Sequence, residues 1–391
     1  MMPKFDIFSQ MLNGIINMNY NKHYIPILKW KRAEQNSLKN LTDLQKNEVT
    51  PLVELVMPKV TIYKDKANKI PKTQNEIFNE MISDFRSVRI PQIPEEINES
   101  WGQKSLLIDF SLLYTVQLKV ESILRIFEAG KLVGLDLIPV FNLSDDEEII
   151  QTIRSLSTKH GAACLRLVPS DLTSIERLNE RIEIFIKHHN FHESNLDLLI
   201  DIKEITQLGG NYERLLIASQ NITNLSKWRN FIFASGAFPE ELSKYNIDEP
   251  NQVPRYDWLN WLAIVSSGNL KRNPIYSDYT IRNPIYKESF QFHIPTTSIK
   301  YTFNDSWLIM KGKKQRFELY LANANLLSTD ASIFYGEDFS FGDKYIAEKG
   351  KHYLDYIKNP KIKGTGSTET WLMAGINHHM ACTINQISKL V

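Results

Sequence analysis

Eight short apolar runs recur along the first three quarters of the chain. They read "YIPILKW", "TPLVELVM", "SLLIDFS", "LDLIPVFNL", "AACLRLV", "LDLLIDIK", "NFIFASG" and "PIYSDYT". Each is short, rich in β-branched or aromatic residues, and bounded by polar or turn-forming positions, which predicts buried strands. Segments with helical periodicity lie between them. In "DDEEIIQTIRSLSTK", Asp145 to Lys159, residues Ile149, Ile150, Ile153 and Leu156 form one stripe behind an acidic N-terminal start at Asp145 and Asp146. In "SIERLNERIEIFIKHHN" the stripe is Ile175, Leu178, Ile182 and Phe185. Pro254 sits where a proline would open the helix "PRYDWLNWLAIVSSG".

Buried strands alternating with helices predict a parallel sheet covered by helices. Eight such units between residues 24 and 285 fit an α/β chain of the (β/α)8 TIM-barrel type, whose usual length is ~250 residues. An open doubly wound sheet competes, but no glycine-rich phosphate loop follows the first run. The connection from Met57 to Ser105 is long and carries a helical pattern near "TQNEIFNEMISDFR". After Pro284 the rhythm changes. "TTSIKYTFNDSWLIMKG" predicts a hairpin around an Asn-Asp turn. Helical patterns follow around Phe317 to Leu327, in "SFGDKYIAEKGKHYLDYIK" and in "WLMAGINHHMACTINQISKLV". The expected division is an N-terminal extension over 1–23, with Met18 as an alternative start, a barrel-like domain over 24–285, and a C-terminal hairpin and helical subdomain over 286–391.

Charges at the ends of the runs point to chemistry. In such a barrel the functional groups sit at the C-terminal ends of the strands. Those positions hold Lys29 with Lys31, Glu54, Asp109, Arg166, Asp201 followed by Lys203, and Asp278 with Tyr279. Strand parity pairs Lys29 with Ile27, Glu54 with Leu52, Asp109 with Leu107 and Asp201 with Leu199, so these charges share the inward face. A charge in an apolar strand must be paired, hydrogen-bonded or ligand-bound. Three acids could therefore face Lys29 and Arg166 across one barrel mouth, with Asp278 at its rim. A purely structural layer of ion pairs is the bland alternative. His378 and His379 diverge by about 100° on a helix, too far to share a metal easily. One of them faces the mouth, or both are satisfied core histidines. The glycines of "GTGSTETW" suit either an anion-binding helix start or an ordinary cap at Ser367 or Thr368.

Composition narrows the class. The 391 residues carry 46 basic and 45 acidic side chains, a net charge of +1, so binding to nucleic acid or anionic lipid would need a local patch. Apolar residues at 42% supply a large core. The two cysteines, Cys164 and Cys382, form no disulfide framework and no zinc signature. No run approaches the ~20 apolar residues of a membrane span. These features point to a cytoplasmic protein with no membrane partner.

Several pieces together resemble a known family. "YIPILKWKRAE", "TPLVELV", "PRYDWLNW", "PIYSDYTI", "TSIKYTFNDSWLIMKG", "DFSFGDKYIA" and "STETWLMAGINHHM" are similar to the family called beta protein or beta family protein, a name taken from a phage gene product. The positions matched are Lys29, Lys31, Glu54, Asp278, Tyr279, Trp371, His378 and His379. The resemblance implies a setting in bacteria and phages, among mobile elements and antiviral defence. It also favours a role for His378 or His379 at the barrel mouth.

Two functions follow as expectations. In the first, the chain is a metal-assisted hydrolase of a phosphate-containing substrate, a nucleotide or nucleic acid. Glu54, Asp109 and Asp201 would hold Mg2+ or Mn2+, Lys29 and Arg166 would neutralise phosphoryl oxygens, and Asp278 or His378 would move a proton. Lys29 as an imine-forming nucleophile ranks lower, because three acids would keep it protonated. In the second, the same mouth is a sensor for a ligand or phage component. Its surface for a partner protein of a defence system would be the aromatic set Trp307, Tyr320, Tyr335, Phe339 and Phe341.

Overall fold

A computed structural model describes residues 22–58, 73–247, 249–287, 296–361 and 363–390. The expected N-terminal extension lies outside the described residues except for Lys22 and His23, as does 59–72 of the long second connection.

All eight apolar runs are strands of one closed, all-parallel barrel. They are β1 (Tyr24–Lys29), β2 (Leu52–Glu54), β3 (Leu106–Asp109), β4 (Leu137–Phe141), β5 (Ala163–Leu167), β6 (Leu196–Glu204), β7 (Asn230–Gly236) and, after an interposed β8 (Pro250–Pro254), β9 (Ile275–Asp278). β9 closes the ring between β7 and β1. The fold is therefore an α/β barrel of the TIM type.

The side chains divide as parity requires. Ile25, Ile27, Leu52, Leu107, Ile138, Val140, Cys164, Leu199, Ile232 and Ile275 fill the barrel interior. Residues of opposite parity, such as Leu28, Val53, Ile108, Leu165, Ile200 and Tyr276, pack outward against the helices. The interior is a packed core below a charged top.

The expected helices form for the anticipated reasons. Glu147–His160 buries Ile149, Ile150, Ile153 and Leu156 and ends at Gly161 in the left-handed region, φ +91°. Asp146 is its cap position, whereas Asp145 turns back to accept from the Asn142 N–H at 2.8 Å. Ile175–His189 starts at Ser174, whose hydroxyl accepts from Arg177 N–H. Thr368–Ser388 starts at Ser367 in a reciprocal cap with Thr370, so the "GTGSTETW" stretch acts as a helix cap.

One local expectation fails. Pro254 does not open a helix. It ends β8, and the helix begins at Tyr256. β8 pairs antiparallel with β11 (Ser306–Lys314), which pairs with β10 (Thr296–Phe303), giving a three-stranded sheet beside the barrel. The predicted hairpin is there, with Asn304 at φ +49° in its turn. A strand drawn from between β7 and β9 ties the C-terminal sheet into the barrel sequence. Among the described residues no helix is long and apolar enough to cross a membrane.

Candidate functional site at the barrel mouth

The charged strand ends converge on Arg166. It projects inward from β5 with about 2% of its surface exposed, in a layer above the apolar interior. Nη1 donates to Glu54 Oε1 at 3.0 Å and to Asp109 Oδ2. Nε and Nη2 both reach Asp201 Oδ2, at 3.0 and 2.6 Å. Nη2 also donates to the Tyr279 hydroxyl oxygen at 2.9 Å. Lys29 pairs with the other oxygen of Glu54, and Lys203 with Asp201 at 2.7 Å.

The network is balanced: Lys29, Arg166 and Lys203 oppose Glu54, Asp109 and Asp201. Burial alone would raise the Asp201 carboxyl, but Arg166 and Lys203 hold it well below the usual range. Asp109 is shifted the same way, against its burial, by Arg166 and the Ser111 N–H. Burial, Arg166 and Lys203 pull the Lys29 ammonium down against the attraction of Glu54. A local backbone feature aims Lys203: β6 loses register after Asp201, and Lys203 adopts φ +60°.

Beside this layer opens a groove with a cavity volume of ≈ 570 Å³. Its wall includes five basic residues, Lys29, Lys31, Arg282, Lys287 and Lys300, against two acids, Glu240 and Glu241. Lys31 Nζ donates to the Tyr286 hydroxyl oxygen at 3.2 Å and lies 4.8 Å from that ring's centre. Arg282 meets Glu34 at 3.2 Å and Lys287 meets Glu240 at 2.6 Å. Another cavity, ≈ 560 Å³, lies between helices Gly210–Ser219 and Tyr256–Val265, away from the charged layer.

Of the residues singled out from sequence, Lys29, Glu54, Asp109, Arg166 and Asp201 share one cup, and Lys31 lines the adjoining groove. Asp278 does not join them. It has the parity of Tyr276 and faces outward, fully buried, accepting from Tyr24 Oη at 2.5 Å, Tyr276 Oη at 3.0 Å and His379 Nε2 at 2.9 Å. Tyr279, one residue later, takes the inward place. His378 is also remote from the mouth. Its ring stacks on Tyr301 at 3.8 Å and lies between the Asp343 carboxylate and Thr302 O, each 2.7 Å away. Both histidines therefore join the C-terminal helix to the hairpin and barrel.

A further buried group completes that joint. Arg255 donates to Asn304 O at 3.1 Å, Gln386 Oε1 at 2.7 Å and Thr383 Oγ1 at 3.1 Å. Burial and the charge of Asp278 push the Asp257 carboxyl up to about 7. The proposed aromatic partner surface does not form as expected, because Trp307 and Tyr320 are buried.

The carboxylates of Glu54, Asp109 and Asp201 aim at the Arg166 guanidinium, which takes the central position a divalent cation would need. Among the described residues, the donor atoms close enough together to hold a metal ion are those of Glu147, His188 and His189 on the surface. Sequence reasoning named Lys203 and Tyr279 at the strand ends without assigning either to the cup, which they join, and missed Arg282, Tyr286 and Lys300 in the groove. Parity along "IYSDY" could have placed Tyr279 in the cup. Nothing local marks Lys300, which arrives from the distant hairpin.

Residues 24–385 match the family described as Beta protein. The chain belongs to the Beta protein family. The matched span covers the barrel and the C-terminal joint up to residue 385. No curated protein matches. Two solved structures show distant likeness. One is the catalytic module of a family 98 glycoside hydrolase from Streptococcus pneumoniae TIGR4 in complex with the LewisY pentasaccharide blood group antigen. It shares 13% identity over 48% of this chain and 38% of that one, with a TM-score of 0.25. The other is a GH138 enzyme targeting pectin rhamnogalacturonan II, at 9% identity over 82% of this chain and 42% of that one, TM-score 0.35. The chain spans less than half the length of either, and at these scores neither bears on the chemistry of this Beta protein family member.

Proposed function

We propose that the barrel mouth binds a phosphate-containing ligand of the nucleotide class, recognised through the cationic groove. The observation that carries this reading is the ratio of five basic to two acidic residues around one open cavity, in a chain whose overall charge is only +1. Lysine and arginine bind phosphate oxygens through charge-assisted hydrogen bonds. Tyr286 offers an aromatic face beside Lys29 and Lys31 on which a base could stack. The ion-pair layer around Arg166 then serves as a rigid floor that fixes Lys29 at the groove edge.

Recognition without turnover, as in a sensor coupled to a partner protein of a defence system, ranks first. Each carboxylate of the cup is already engaged by a cation, so none of the three stands ready as a general base or as a metal ligand. Hydrolysis assisted by Mg2+ or Mn2+ is the second reading, favoured by the position of the acids at the C-terminal strand ends. It requires Arg166 to release them.

A thermal-shift screen of nucleoside mono-, di- and triphosphates, with and without Mg2+ or Mn2+, tests both. Stabilisation by nucleotide alone supports recognition. Metal-dependent product release that disappears in Asp201→Ala supports hydrolysis. No shift with any phosphate ligand refutes the site.

A further inference from the structure

Lys300 differs from the other groove cations. It projects from β10 to the barrel loops, where its Nζ lies 4.6 Å from the centre of the Phe238 ring. It donates to the Ile281 carbonyl at the limiting distance of 3.5 Å. No carboxylate among the described residues lies within ion-pair reach of it. The nearby acids are otherwise engaged: Glu34 by Arg282, Glu240 by Lys287, and Glu241 by the Ser243 hydroxyl at 3.3 Å. Phe238 and Ile281 are buried, so the amine rests on an apolar shelf facing an open cavity.

We propose that Lys300 is a nucleophilic amine that forms an imine with the carbonyl carbon of a sugar phosphate in its open-chain form, held by its phosphate among the groove cations. The proposal rests on the phosphate-binding part of the reading above and directs it to phosphorylated aldoses and ketoses in place of nucleotides, whose ribose is locked as a glycoside and offers no carbonyl carbon. The neutral amine adds to the carbonyl carbon to give a carbinolamine. The carbonyl oxygen then leaves as water with the two amine protons, and a C=N bond remains.

The surroundings favour the neutral amine. Burial and the neighbouring Arg282 charge push the Lys300 ammonium down to about 7, and Glu34 offsets this only in part. Lys29 and Lys31, in the same wall, carry the same sign as Arg282, while Lys287 is neutralised by Glu240. An amine of this kind is present in its reactive form near neutrality, whereas an ordinary lysine, titrating near ~10.4, is almost wholly protonated there. Lys29 is the contrasting case, because Glu54 pairs with it directly. An anionic substrate would itself favour the protonated amine, so the phosphate must sit nearer Lys31 and Arg282 than Lys300.

The test incubates the full chain at pH 7 with glyceraldehyde 3-phosphate or with glyceraldehyde, traps imines with cyanoborohydride, and maps the modified lysines by mass spectrometry. Pyrophosphate binding is measured by calorimetry on the same preparation. The expected result is modification of Lys300 more than about tenfold above any other lysine. It should fall in the presence of pyrophosphate, be at least about tenfold weaker with glyceraldehyde, and be half-maximal near pH 7. Lys300→Arg should abolish labelling at this position, because a guanidinium does not form a reducible imine under these conditions, and modification of other lysines should not rise to replace it. Pyrophosphate binding without selective labelling would overturn the inference and leave the groove reading intact. Absence of both would overturn the two together. Equal labelling of Lys300 by both aldehydes, untouched by pyrophosphate, would refute the sugar-phosphate assignment.

Discussion

Arg166 grips a single oxygen of Asp201 twice, through Nε at 3.0 Å and Nη2 at 2.6 Å, and turns Nη1 to Glu54 and Asp109. This fork closes the barrel mouth with a layer of balanced charge. Arg166 and the three carboxylates have no water to fall back on, because all four are buried. Removing one ion from such a set strands its partners, which costs about 3–5 kcal/mol. Arg166→Met should therefore lower stability by that amount in chemical denaturation and leave three carboxylates competing for Lys29 and Lys203. A variant of unchanged stability would mean that the layer is solvated in solution.

The C-terminal joint should be separable from the groove. His378→Leu removes a ring that lies between Thr302 O and the Asp343 carboxylate, leaving the buried carbonyl without that partner. The expected cost is about 1–3 kcal/mol of stability. Phosphate-ligand affinity should stay within about twofold, because His378 does not reach the mouth. Loss of affinity at unchanged stability would return the histidine to the site.

Stability should also respond to pH through Asp257. Its carboxyl is raised to about 7 by burial and by the Asp278 charge, above an unfolded value of ~3.9. A raised group contributes stability that is full below the unfolded value and lost as pH rises through the folded one. The stability of the native chain relative to Asp257→Asn should thus decline between about pH 4 and pH 7, then level off. Denaturation midpoints of the two proteins across that range measure it. A difference that grows with pH would show that Asp257 is ionised in the folded state.

Much of this architecture is written locally, and the exceptions have physical reasons. Strands buried on both faces must be apolar throughout, so the eight barrel strands stand out as runs. The charges that interrupt them at Lys29, Glu54, Asp109, Arg166 and Asp201 are visible for the same reason. Asp278 departs from the expected rim position because parity outweighs charge: Tyr276 and Asp278 face outward, and Tyr279 completes the cup. Pro254 looks like a helix start because its strand's partner is remote, with Val253 against Trp307 far along the chain. Lys300 is invisible for a related reason, since only tertiary packing carries the hairpin to the groove. The histidines belong to a motif of the chain, but the motif builds a joint.

A groove built for phosphate is the claim on which the rest depends. Calorimetric titration of pyrophosphate into the wild-type chain and into Lys31→Glu, at low and at moderate salt, tests it most directly. Lys31 donates to Tyr286 Oη at the groove wall, outside the buried ion-pair layer, so the reversal should spare the fold. The expected result is saturable wild-type binding that weakens with salt, and a loss of at least about tenfold in the variant, as for a contact worth ~1–3 kcal/mol. Absence of wild-type binding, or equal binding by the two proteins, would contradict it.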